Sequence, residues 1–315
     1  MKISVKVPAT TANMGPGFDC LGMALPIYNT ITLEETVLPG TGIEINIMAD
    51  DDSIDEMSLE HIPMDENSIV YKAVKLLYNS IGQTPSELKI NINSQIPVAR
   101  GLGSSAAVIV GGLLAANKLL GEPADETALL SIATEVEGHP DNVTPAIIGG
   151  LCLSSQEEDG SIVYSKLNWN DDWQITVCIP DYELATDISR SVLPEEVPMK
   201  DAIFNAKRMG MFVQAVNNKD KNLLKLALND KLHQPYRMKL VPGFAEVKEN
   251  LKHEDSVIGV VLSGAGPTIL VISEKTNLER IKGIIKETFE NLDVNVQILT
   301  LPVEQNGAQI ISQED

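Results

Sequence analysis

The run PVARGLGSSAAVIVGG, Pro97 to Gly112, restricts the fold of this chain more than any other stretch. Gly101 and Gly103 open backbone angles that other residues avoid, and Ser104 and Ser105 are good helix starters. Ala106, Ala107, Val108, Ile109 and Val110, then Leu113, Leu114, Ala115 and Ala116, read as a buried helix. A glycine loop opening such a helix aims free backbone N–H groups, backed by the helix dipole, at whatever lies in front. That makes an anion site, most often for phosphate. The same small residues also build a plain tight turn capping a core helix, so the loop alone leaves two readings open.

Around this loop, strands and helices interleave. KISVKV (2–7) alternates as a strand that Pro8 ends, and YNTITLEET (28–36) and IEINIMAD (43–50) read as further strands. ADDDSIDEMSLE (49–60) is acidic and reads as a solvated loop. A helix is expected over 67–82, capped by Asn67 or Ser68 and stopped by Gly82, and another over 125–138, capped by Asp125. Between and after them come a strand at 87–93, a hairpin around Glu157 to Gly160 and a strand at 173–180. Helices follow at 200–216 and 221–230, then two apolar strands around a glycine turn within 257–273, a helix at 277–292 and a closing strand at 295–301. This is an α+β pattern without regular βαβ repetition. With 315 residues the chain has room for two domains. We expect them to meet near 155–172 and divide the chain into 1–160 and 161–315.

Composition excludes several classes of function. A net charge of −20 argues against nucleic acid as a partner, because a phosphate-backbone binder needs a basic face. The three cysteines, Cys20, Cys152 and Cys178, form no CxxC pair, and their odd number suits a reducing compartment. The four histidines lack the clustering of a zinc site. The first residues lack a long apolar segment, and no run reaches eighteen apolar residues, so we expect no membrane span and a cytoplasmic location.

Two further glycine motifs frame the first. PATTANMGPGFDCLG (Pro8 to Gly22) offers Thr10, Thr11, Asn13 and Asp19 among the glycines of a tight loop, and LSGAGPTI (Leu262 to Ile269) is a glycine turn between apolar strands. In this order and spacing the three motifs resemble those of the GHMP kinases, from Lys2 to about Leu301. Within that superfamily, PATTANMGPGFD, HPDNVTPAIIGG and HQPYR are similar to the homoserine kinases. The resemblance implies a GHMP kinase fold: an N-terminal domain like domain 2 of ribosomal protein S5, binding ATP, then a ferredoxin-like C-terminal domain. It also implies transfer of the γ-phosphoryl group of ATP to the side-chain hydroxyl of L-homoserine, a step toward threonine, with Mg²⁺ and in a homodimer. Three alternatives compete: another GHMP kinase, acting for example on mevalonate; a catalytically silent regulator of the same fold; and an S5-like RNA-binding module, which the acidic balance disfavours.

The resemblance also implies residue roles. Pro97, Val98, Ala99, Arg100, Gly101, Leu102, Gly103, Ser104, Ser105, Ala106 and Ala107 would hold the triphosphate. Ser105 and an acidic residue, Glu137 or else Glu135, would hold Mg²⁺. Asn13 and Asp19 would take the ammonium of the acceptor, and Arg190 and Arg237 its carboxylate, which a guanidinium binds through both oxygens. His139, Asp141 and Asn142 would line the same pocket, with Thr186 nearby. Thr10 and Asn142 stand where mevalonate kinases have a lysine and an aspartate, and an amide cannot accept a proton as a general base. The implied mechanism is direct attack of a positioned hydroxyl, with Asn142, Ser105 and Glu137 as the catalytic set.

Overall fold

The first glycine motif joins two long strands. In the computed structural model, which describes residues 1–35, 42–49, 62–85 and 87–314, β1 (Lys2–Asn13) and β2 (Gly17–Glu35) form an antiparallel hairpin turning at Met14–Pro16. Pro8 therefore does not end the strand. The strand register shifts between Pro8 and Ala9, and at Pro8 β1 is paired on one side only, so the missing N–H is tolerated. The acidic tract at 50–60 lies outside the described residues.

The hairpin is the centre of a seven-stranded sheet. Its other members are β3 (Ile43–Ala49), β4 (Leu88–Ser94), β5 (Leu151–Gln156), β6 (Ile162–Leu167) and β11 (Gln309–Glu314), in the order β11-β1-β2-β4-β3 with β5 on β2 and β6 on β5. Four helices accompany it: α1 (Ile69–Ser80), α2 (Ser104–Leu119), α3 (Glu126–Glu137) and α4 (Pro140–Ile148). Buried residues on every side of α2, among them Ala107, Ile109, Val110, Leu113 and Ala116, match its uniformly apolar sequence. Asp125 caps α3, accepting the Ala128 N–H at 2.9 Å.

The second sheet has four strands in the order β10-β7-β9-β8: β7 (Trp173–Pro180), β8 (Val257–Leu262), β9 (Ile269–Glu274) and β10 (Val296–Leu301). Side chains alternate across it. Ile269 and Val271 face a small core with α9 (Phe244–Asn250) and α10 (Leu278–Glu290), while Leu270 and Ile272 join the large core that reaches the first sheet. That large core also takes in α6 (Met199–Asn218) and α7 (Lys221–Ala227). Two short helices, α5 (Thr186–Ser191) and α8 (Gln234–Arg237), present side chains toward the junction.

The expected division at 160/161 does not coincide with the division between sheets, because β6 and the returning β11 both belong to the first one. Sequence patterning also leaves α4, α5, α8, α9 and β11 unannounced. Among the described residues no helix is long and apolar enough to cross a membrane.

Candidate active site

All three glycine motifs meet at one place. Thr10 N donates to Leu102 O at 3.0 Å, Gly264 N to Ala12 O at 3.0 Å, and Thr268 N to Arg100 O at 3.2 Å. Approach is so close that a Cβ on Gly101 would lie 2.4 Å from Ser263 O, and one on Gly103 1.9 Å from Thr10 Oγ1. Gly103 is the N-cap of α2 in the left-handed region (φ 69°), and no side chain caps the helix. The first-turn N–H groups of α2 are thus left for an anion in front of them.

A cleft of about 320 Å³ opens there. Residues 97–105, Asn13, Asp19, Glu137, His139, Asp141, Asn142, Thr186, Arg190 and Arg237 all line it. Ala106 and Ala107 do not; both are buried in α2 behind the loop. Only the backbone side of Arg100 suits the loop role. Its guanidinium turns to the Pro180 and Asp181 carbonyls at the end of β7 (3.2 and 3.0 Å) and to Glu183. The cleft lining also includes the apolar Ile47, Pro63, Ile69, Ile92 and Val108, which sequence reasoning missed because they come from four separate segments.

At the mouth of α2, Ser105 donates to Glu137 Oε2 at 2.6 Å. Burial pushes the Glu137 carboxyl above its usual pKa, and the Ser105 hydrogen bond offsets this only in part. Glu135 is exposed and does not line the cleft, so of the two candidate glutamates only Glu137 meets Ser105. Among the described residues no group of three or more His, Cys, Asp or Glu side chains is arranged for a metal.

Next to it, Thr10 donates to Asn142 Oδ1 at 2.8 Å, and Asn142 Nδ2 donates to Asp141 Oδ1 at 3.1 Å. His139 Nδ1 lies 2.5 Å from the same Asp141 oxygen. Burial disfavours the charged imidazole of His139, but the hydrogen bond and charge of Asp141 outweigh it and hold its pKa above the usual histidine range. These residues sit at the start of α4, where His139 is the N-cap and Pro140 opens the helix.

The polar end differs from expectation in one respect. Arg190 and Asp19 pair with each other, Nη1 to Oδ2 at 3.1 Å and Nη2 to Oδ1 at 2.9 Å. Asn13 holds the Asp19 turn by accepting its N–H at 3.0 Å, and donates to Gly264 O at 2.8 Å. Arg237 is 1% exposed, and its acceptors are all neutral: Ser189 O and Gly264 O at 3.2 and 3.3 Å, and His233 Nδ1 at 3.3 Å. Burial, helped by the nearby Arg190 charge, lowers its pKa to about 10. Phe18 lies beneath both guanidinium groups, with Arg190 Cζ at 5.7 Å and Arg237 Cζ at 5.1 Å from its centroid. Phe18 and His233 went unnoticed in the sequence although both lie inside motifs already singled out.

Comparison with known proteins shows the family. The model of the GHMP kinases N terminal domain matches residues 68–150, and that of the GHMP kinases C terminal matches 212–291. The chain is 41% identical over 310 residues to a homoserine kinase of a Synechococcus strain, covering 98% of both chains. It is 40% identical to one of Carboxydothermus hydrogenoformans, covering 97% of this chain and 96% of that one. The crystal structure of homoserine kinase from Cytophaga hutchinsonii superposes with a TM-score of 0.85 at 29% identity, over 98% of this chain and 97% of the other. A mevalonate kinase of L. major, at 14% identity and a TM-score of 0.69 over 95% of each chain, shares the fold.

Proposed function

The chain belongs to the homoserine kinases of the GHMP kinase family, and from that premise we propose how its cleft transfers the γ-phosphoryl group of ATP to the side-chain hydroxyl of L-homoserine. The observation that carries the reading is that the uncapped α2 N-terminus opens into the same cleft that Asp19, Arg190 and Arg237 line. The lining brings together apolar side chains, the helix terminus and the Asp19, Arg190 and Arg237 charges. A flat base suits the first, phosphate oxygens the helix terminus, and a small zwitterion the third.

Residues 98–105 cradle the triphosphate through backbone N–H groups, as successive amides at a helix terminus do, with Pro97, which has no N–H, only lining the cleft. The Ser105 hydroxyl and the Glu137 carboxylate form a hard oxygen pair, and Glu137 is a half-buried carboxylate with no basic partner within ion-pair distance among the described residues. Such a pair fits Mg²⁺. When bound, the ion neutralises phosphate charge. At the acceptor end, the ammonium of homoserine takes Asp19 and Asn13, and its carboxylate takes Arg190 and Arg237. Entry of the zwitterion exchanges the Asp19–Arg190 pair for two pairs with substrate. Asn142, fixed by Thr10 and Asp141, orients the hydroxyl for in-line attack, with His139 and Thr186 bounding the pocket.

One measurement tests the acceptor: ADP release, coupled to a colour reaction, with L-homoserine, mevalonate and galactose in turn. We expect turnover with homoserine at least a hundredfold above the other two. Equal or greater turnover with mevalonate would overturn the reading.

A further inference from the structure

Arg237 holds a positive charge in the interior with no carboxylate bonded to it, and the group that makes this arrangement work is His233. The imidazole is fully buried. Its Nε2 lies 2.8 Å from Gly15 O, and its Nδ1 lies 3.3 Å from Arg237 Nη1. A carbonyl only accepts, so Nε2 carries the hydrogen. The guanidinium only donates, so Nδ1 carries the lone pair. The ring is therefore neutral, with its tautomer set by the β1–β2 hairpin. It also stacks on Phe18, with centroids 5.2 Å apart and planes at 17°, and Phe18 is the ring beneath Arg237.

These contacts use Nε and Nη1 of Arg237. Nη2 has no acceptor among the described residues, and Arg237 lines the cleft. We propose that His233 is a positioning residue for the acceptor site: as a neutral imidazole pinned by Gly15, it takes one N–H of Arg237 and so leaves Nη2 for the carboxylate of the substrate. Protonation of His233 would remove that acceptor and set a second cation beside the guanidinium. The inference rests on the homoserine kinase reading above.

Charged groups face His233 from each neighbouring element. Asp230 Oδ2 lies 3.6 Å from Nε2, and Arg237 lies on the same segment. Asp19 reaches it from β2, while Arg190 of α5 contacts the shared Phe18 ring and Lys248 of α9 faces Asp230. Burial dominates over Asp230 and keeps the ring below the usual histidine pKa. His139, in the same cleft, is held above it, so the two ionisations are separable.

The test is steady-state kinetics of the full chain and two variants, each confirmed folded by circular dichroism, with homoserine and with homoserine amide. His233→Phe keeps the stack and loses the acceptor. We expect its KM for homoserine to rise about tenfold, as for loss of one hydrogen bond to a charged group. Its KM for ATP should move less than about twofold, and KM for the amide should rise far less than for the acid. His233→Asn, which restores an acceptor near the Nδ1 position, should recover most of the loss. In wild type, KM for homoserine should climb as pH falls below about 6.5, the ordinary histidine range, and His233→Asn should flatten that climb while leaving the His139 ionisation in place. Equal rises for acid and amide, or an acid climb retained in His233→Asn, would overturn the inference. The wild-type pH profile decides even where His233→Phe does not fold: no climb below pH 6.5 also overturns it. Wild type that turns over mevalonate rather than homoserine overturns the functional reading, and this inference with it; failure of the variants alone overturns only this inference.

Discussion

Asn142 stands where a proton acceptor would be sought, and both ends of its amide are already spoken for. Its oxygen accepts from Thr10 and its nitrogen donates to Asp141. An amide does not titrate in the working range, so in the proposed mechanism the residue orients and does not deprotonate. Asn142→Ala should cut turnover by about tenfold or more, at the scale of one lost positioning contact, with the pH optimum unmoved. The pH–rate profiles of both proteins check this, and disappearance of an ionisation from the variant would contradict it. Arg237 is the other decisive residue. Removing one partner of a buried charge-assisted contact costs roughly 2–5 kcal/mol, so Arg237→Leu should raise KM for homoserine by about tenfold or more. Because the arginine also ties Ser189 O and Gly264 O, the variant should melt earlier as well. Discrimination between homoserine and its amide separates the two effects: a variant that keeps the full preference for the acid would show that Arg237 does not read the carboxylate.

At the scale of elements, α2 opens on the proposed nucleotide end of the cleft, and its N-cap has no room for a Cβ. Gly103 has φ 69°, and an added Cβ would lie 1.9 Å from Thr10 Oγ1 and 3.1 Å from Asn142 Oδ1. Gly103→Ala should therefore damage both substrates' sites, weakening ATP binding by calorimetry and disturbing the Thr10–Asn142 pair. Unaltered affinity for ATP would count against the loop as the phosphate cradle. The loop and the helix were legible because glycine, serine and alanine each have a local reason to stand there. The helix at 125–138 was legible from its Asp125 cap, and that at 277–292 from its apolar spacing. α4 was not, since Pro145 lies inside it and His139 caps it without a side-chain bond. β11 was hidden because QIISQE has no alternation of its own and forms only against β1. The Asp19–Arg190 pair was likewise out of reach: 171 residues separate the partners, and each was readable only as a ligand for something else.

Over the whole molecule, the candidate site lies where the two sheets are pinned together, and Ser263 is one of the pins. It is fully buried at the end of β8, with Oγ 2.6 Å from Gly101 O and 2.8 Å from Thr11 Oγ1. Ser263 Oγ is the donor in both contacts, its one hydrogen shared between the Gly101 carbonyl and the Thr11 hydroxyl oxygen. One side chain thus joins all three glycine motifs. The next residue extends the junction, since Gly264 O accepts from both Asn13 and Arg237. Ser263→Ala leaves a buried carbonyl and a buried hydroxyl without this partner, which costs about 1–3 kcal/mol. That loss should appear as a lower melting temperature. It should also appear in both Michaelis constants at once, for ATP because Gly101 loses its anchor and for homoserine because Asn13 and Arg237 hang from the adjoining residue. Contrast comes from Asp125→Ala, which removes the cap of α3 far from this junction and should cost about 1 kcal/mol with both constants nearly unchanged. If Ser263→Ala melted earlier yet kept both constants, the junction would be scaffold alone, and the two halves of the cleft would be set independently by their own sheets.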